Sequence, residues 1–200
     1  MKLGIFGGSF DPIHNGHLFV AEAAREERGL DRVLFVPTLA GKHYRSGKMS
    51  ANAQERATMV RLAIAANTAF AFDDSDLGAA STGYTADLVP KLVARYANDE
   101  LTFIVGADSL VRSRWNRLEE VLQALAAFVV APRNDITAAQ IDAAIGDLAP
   151  ELRAKIALLH SPLVEESATL IRERLLAGNS VRYLVPEPVY RYIDEWQLYR

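Results

Sequence analysis

The chain has 200 residues, 50% of them hydrophobic, and a formal net charge of -3, which suits one α/β domain spanning 1–200 and excludes a chain too polar to build a core. No block or tail of Lys and Arg is present, so nucleic acid is not an expected partner. No apolar run reaches a bilayer span, so neither is a membrane. Absence of cysteine removes disulfides, thiolate catalysis and Cys-ligated zinc, and fits a reducing cytoplasm.

Residues 2–6 read as a strand entering the fold rather than as a secretory signal. A helix follows over 16–28, with Leu18, Ala21, Ala23 and Ala24 as its apolar stripe. Residues 32–36 form a strand stopped by Pro37, then a polar loop over 38–50. A helix over 51–66 turns Met59, Leu62 and Ala63 inward, and 70–72 is a short strand. Next come a helix at 85–96, a strand at 101–105 closed by Gly106, a helix at 118–125 and a strand at 127–131. An Ala-rich helix at 136–145, a strand at 156–159 and helices at 168–176 and 189–196 complete the chain. The stretch 133–162 has room for an extra helix pair.

The strands are apolar throughout rather than alternating, so both faces are covered. Strands alternating with helices imply βαβ units and a parallel sheet, a Rossmann-like doubly wound α/β fold. Ligands in such folds bind outside the C-terminal strand ends, so the loops after Phe6, Val36, Val105 and Leu159 should share one site.

Gly7-Gly8-Ser9-Phe10-Asp11-Pro12-Ile13-His14-Asn15-Gly16-His17 joins the first strand to the first helix. Gly7 and Gly8 allow close approach of a ligand, and the turn is neither a Walker A loop nor a dinucleotide fingerprint. His14 and His17, at i and i+3, share a helix face beside free N–H groups, with Gly16 leaving space between them. A lone histidine here reads as a cap or a packed core residue. Two of the chain's four on one Gly-rich turn point instead to a transferring phosphate. Ser167-Ala168-Thr169-Leu170-Ile171-Arg172 opens another helix, where Ser167 or Thr169 can cap and Arg172 can return to the same turn as a phosphate ligand.

The first segment resembles the signature of the His-x-Gly-His nucleotidyltransferase superfamily, and within it the bacterial nicotinate-nucleotide adenylyltransferases. The second is similar to that superfamily's Ser-x-Thr-x-Ile-Arg motif. The resemblance implies a nucleotidyltransferase-type fold and adenylyl transfer from ATP to nicotinate mononucleotide, giving deamido-NAD and pyrophosphate. Acceptors such as nicotinamide mononucleotide or phosphopantetheine are the alternatives. It implies catalytic roles for His14, His17 and Arg172, and ATP contacts from Gly7, Gly8, Ser9, Phe10, Gly16, Ser167 and Thr169. Gly106, Asp108 and Ser109 resemble the family's Gly-x-Asp-Ser element near adenosine; Asp108 or Ser109 also reads as a helix N-cap. For the acceptor the resemblance implies Thr85 at a helix start, Trp115 stacked on the pyridine ring, Lys42 and His43 in the 38–50 loop, and Arg133. Arg45 competes with Lys42 for the phosphate, and Asn116 stands where many relatives carry an aromatic residue. Mg2+ is expected to be held through the ATP phosphates and water, with no side chain assigned as a metal ligand. The C-terminal end, through Tyr199 and Arg200, reads as packing, and homo-oligomerisation is left open.

Overall fold

The computed structural model describes residues 1–39, 51–113, 115–162 and 166–200. Six strands lie in the order β3-β2-β1-β4-β5-β6, and every neighbouring pair is parallel. They are β1 Lys2–Gly8, β2 Arg32–Pro37, β3 Phe70–Phe72, β4 Glu100–Gly106, β5 Ala127–Ala131 and β6 Ile156–Leu158. The helices are α1 Asn15–Arg28, α2 Ala53–Ile64, α3 Thr85–Arg95, α4 Ala107–Arg112, α5 Leu118–Ala124, α6 Ala138–Ala144, α7 Pro150–Arg153, α8 Ala168–Leu176 and α9 Glu187–Glu195. The chain builds outward from β1 to β3, returns to place β4 on the other side of β1, and builds outward again. The β1/β4 junction is therefore the topological switch point.

Side chains along each strand alternate between two apolar layers, which is why no polar face interrupts the sequence. Phe6, Phe35, Ile104 and Val129 pack with the layer that includes Met59 of α2, Ile171 of α8 and Ile193 of α9. Ile5, Leu34, Phe103 and Phe128 pack with the opposite layer, which includes Leu92 of α3, Leu122 of α5 and Ile141 of α6. Each fully buried side chain of this size contributes roughly 1.5–3 kcal/mol. Gly4 lies at the centre of β1, where a Cβ would stand 2.9 Å from Leu30 Cδ1 and 3.0 Å from Ile104 Cδ1.

Some boundaries differ from those predicted, for local reasons. The helix predicted from Ala51 begins at Ala53 because Asn52 and Glu55 form a reciprocal capping box. The one predicted from Ile136 begins at Ala138 because Thr137 and Gln140 do the same. The last helix starts at Glu187, with Pro188 in its first turn. Two short helices lie where the sequence offered only an N-cap at Asp108 or Ser109 and room for an extra helix pair over 133–162. α4 follows Gly106 directly, and α7 is a single turn opened by Pro150. Among the described residues, no helix is long and apolar enough to cross a membrane.

Candidate active site

Two clefts open over the C-terminal strand ends. The larger, about 420 Å3, runs past Gly7, Gly8, Ser9, Gly16 and His17 to Asp108, Arg133 and Ser161. The smaller, about 150 Å3, is lined by Val36, Thr38, Asp76, Thr85 and Trp115. Both touch Gly7, Gly8, Val105 and Ser109, so two ligands would meet across the end of β1. The loops after β1, β2 and β4 thus converge as the topology requires. The segment following β6 contributes Ser161 and Pro162, and the end of β5 contributes Arg133.

His14 is the N-cap of α1 and is 2% exposed; its ring centroid lies 3.6 Å from that of half-buried His17. The backbone N–H of His14 donates to His17 Nδ1 at 3.2 Å. That bond makes Nδ1 an acceptor, so neutral His17 carries its proton on Nε2. Edge contacts from Phe10 at 5.1 Å and Phe6 at 5.9 Å clamp the His17 ring. Phe10 is 1% exposed, with φ 47, so its side chain belongs to the core and only its backbone is left for a nucleotide.

Burial, reinforced by the charge of Arg133, holds the His14 pKa down to about 3 from its ordinary 6.5. His17 is also lowered, by burial first and then by His14 and Arg133. Both rings are therefore neutral hydrogen-bonding groups near neutral pH. The sign for stability follows. The unfolded chain takes up a proton below 6.5 that native His14 refuses until about 3, so stability falls as pH drops through that window. The expected slope approaches about 1.4 kcal/mol per pH unit per histidine. Urea unfolding from pH 7 to pH 5 reads it, and His14→Gln should flatten the dependence by about one proton's worth. An unchanged slope in that variant would show that His14 protonates freely in the native state.

At α8, Ser167 is the N-cap and accepts from the Leu170 N–H at 3.2 Å. Arg172 donates through Nη2 to Thr169 Oγ1 at 3.2 Å and through Nη1 to the backbone carbonyl of Asp11 at 2.6 Å. Arg172 thereby closes onto the turn that carries the two histidines. Arg133 lies with Nε 3.6 Å from Asp108 Oδ1 and donates to the Glu166 carbonyl at 3.4 Å. Neither Asp108 nor Ser109 caps α4; Gly106 does, leaving Asp108 in the first turn with its carboxylate toward Arg133.

In the smaller cleft, Tyr84 occupies the cap of α3 and Thr85 is the first helical residue. Its backbone N–H is one of the unpaired donors of the helix start. Trp115 Nε1 donates to the Ser109 carbonyl at 3.0 Å, and Phe103 and Phe128 meet the ring edge-on at 6.3 and 5.4 Å. Arg117, the cap of α5, pairs with Asp87 in the first turn of α3 and ties together the two segments bearing Trp115 and Thr85.

Lys42, His43 and Arg45 lie outside the described residues. Asp11, Arg56 and Tyr199 stand around the site without a signal in sequence spacing. Asp11 is 2% exposed, and its Oδ1 accepts from the Ala51 N–H at 3.0 Å and from the Tyr199 hydroxyl at 2.7 Å. Arg56, also 2% exposed, donates to the Ser9 carbonyl at 2.5 Å and fixes the turn after β1. A buried Asp or Arg inside or beside a motif is the available signal, but its partners lie 40 to 188 residues away.

A parallel sheet of this order, with paired histidines and an arginine-bearing helix start at its switch point, defines a Rossmann-like protein of nucleotidyltransferase type. Residues 5–174 match the model of the "Cytidylyltransferase-like" family. The chain is 40% identical over 200 residues to the "Probable nicotinate-nucleotide adenylyltransferase" of Symbiobacterium thermophilum, covering 99% of this chain and 95% of that one. It is 38% identical to the protein of the same name from Exiguobacterium sibiricum, covering 100% and 99%. The chain therefore belongs to the cytidylyltransferase-like family and, within it, to the nicotinate-nucleotide adenylyltransferases. The fold is shared with the Plasmodium falciparum nicotinic acid mononucleotide adenylyltransferase solved with NaAD, at TM-score 0.75 and 19% identity over 99% of this chain and 97% of that one.

Proposed function

We propose that this chain, acting as one nucleotidyltransferase domain over 1–200, transfers the adenylyl group of ATP to nicotinate mononucleotide. The products are deamido-NAD and pyrophosphate, and the step belongs to NAD biosynthesis. The observation that carries the reading is the close His14–His17 pair, ring centroids 3.6 Å apart, at the end of the glycine turn that both clefts share. A phosphate oxygen of the acceptor forms a bond to the α-phosphorus of ATP, and the bond to the bridging oxygen breaks as pyrophosphate leaves. The larger cleft takes ATP, with Gly7, Gly8, Ser9 and Gly16 against the phosphates and Gly106, Asp108 and Ser109 toward the nucleoside. His17, neutral and protonated on Nε2, donates to the phosphate oxygen where charge builds, and His14 holds it in that tautomer. Arg172, with Ser167 and Thr169, holds the outer phosphates. The smaller cleft takes the pyridine ring, with Trp115 and Thr85 reading it, while Arg133, on the wall of the larger cleft, is assigned to the substrate phosphate.

Among the described residues, no three His, Asp or Glu side chains converge as a metal cage. Asp108 is the one carboxylate among the described residues lining the larger cleft, and it already faces Arg133. This lining would suit Mg2+ held by the ATP phosphates and water, with no side chain as its ligand. When bound, the ion neutralises phosphate charge.

Pyrophosphate release with Mg-ATP and, separately, nicotinate mononucleotide, nicotinamide mononucleotide and phosphopantetheine tests the reading. The expected result is the highest kcat/KM with nicotinate mononucleotide. A higher value for either of the others reassigns the smaller cleft, and no release with any of them from folded protein overturns the transfer itself.

A further inference from the structure

Arg172 has five N–H donors, and its side chain is 14% exposed. Its strongest anchor is the backbone carbonyl of Asp11, at 2.6 Å from Nη1, with Asp11 Oδ2 4.0 Å from the same nitrogen. The placement of that carbonyl depends on what holds Asp11. The carboxylate Oδ1 takes two donors, the Ala51 N–H that leads into α2 and the Tyr199 hydroxyl that follows α9. Tyr199 is 5% exposed, and burial, with the Asp11 carboxylate next, raises its hydroxyl pKa far above the usual tyrosine range. It is therefore a permanent proton donor rather than a titrating group. The sequence around Tyr199 reads as a packing segment, yet its hydroxyl bonds the side chain of the same residue whose carbonyl orients Arg172.

We infer that Tyr199 is a positioning residue for adenylyl transfer: its hydroxyl fixes Asp11, and Asp11 fixes the Arg172 guanidinium toward the outer phosphates of ATP. The inference rests on the phosphate role of Arg172 but not on the identity of the acceptor. Removing the hydroxyl leaves Asp11 Oδ1 with one donor in a buried place, where a missing hydrogen bond costs most. The loss then appears at the nucleotide, through Arg172, and not at the acceptor.

A double-mutant cycle separates this from a packing role. The probe is the α,β-methylene analogue of ATP with Mg2+, titrated calorimetrically, so binding is read whether or not the acceptor has been named correctly. Tyr199→Phe should weaken the analogue about tenfold in the otherwise unchanged protein. In an Arg172→Ala background the same substitution should weaken it less than about twofold, because the coupling partner is gone. Asp11→Asn, which keeps an oxygen for both Oδ1 donors, should stay within about threefold of the parent. In turnover assays, Tyr199→Phe should raise KM for ATP and leave KM for nicotinate mononucleotide unchanged. Equal weakening in both backgrounds, or weakening in neither, overturns the inference.

Discussion

His17→Ala folds normally and turns over at least about 100-fold more slowly than the parent, a loss of about 2.7 kcal/mol or more of transition-state stabilisation, as when one preorganised oxyanion donor is removed. The size follows from how completely the ring is fixed before substrate arrives. The His14 N–H consumes Nδ1, while Phe10 and Phe6 hold the ring edge-on. The remaining donor therefore needs no reorganisation when charge develops on the phosphate. Because that interaction strengthens only in the transition state, kcat and kcat/KM should fall together. Steady-state pyrophosphate release against a thermal melt checks both halves. A variant that is well folded and within tenfold of the parent rate would remove His17 from the chemistry.

Asp11→Ala has the largest expected effect on stability, about 3–5 kcal/mol, the range for removing one member of a buried charged network. The substitution strands the Tyr199 hydroxyl and the Ala51 N–H in the interior, each without its acceptor, and removes the carboxylate beside Arg172. In a domain of this size the melting temperature should fall by about 10 °C. Urea unfolding gives the free energy directly. A loss under about 1 kcal/mol would mean that water reaches these groups and the junction is not dry.

The contrast between these two residues shows what the sequence makes legible. His14 and His17 stand three positions apart on a helix start, so local geometry alone brings their rings together. The same holds for Ser167, Thr169 and Arg172 at the start of α8. Strands such as β5 and β3 have the predicted bounds because apolar runs bracketed by turns leave little choice. The helix α4 was legible only as an N-cap reading at Asp108 or Ser109, because six residues give too little periodicity to fix its extent. Trp115 was legible as a ring but not in its support, since Phe103, Phe128 and the Ser109 carbonyl reach it only through tertiary packing. Asp11, Arg56 and Tyr199 belong to the same class. Their partners are fixed by the closing of the sheet and its helices, and no spacing along the chain encodes a contact made across 188 positions.

Gly7 and Gly8, which share the wall between the two clefts with Val105 and Ser109, present only main chain to either side. Main chain is nearly indifferent to substitution elsewhere, so the two halves of the site are free to drift apart in evolution. On the proposed assignment, the face built by Thr85, Asp76 and Trp115 could be remodelled for a different acceptor while His17 and Arg172 keep their place at the nucleotide. For an engineer the same partition marks where to randomise. Libraries confined to the smaller pocket should retool acceptor choice without rebuilding the adenylyl donor half.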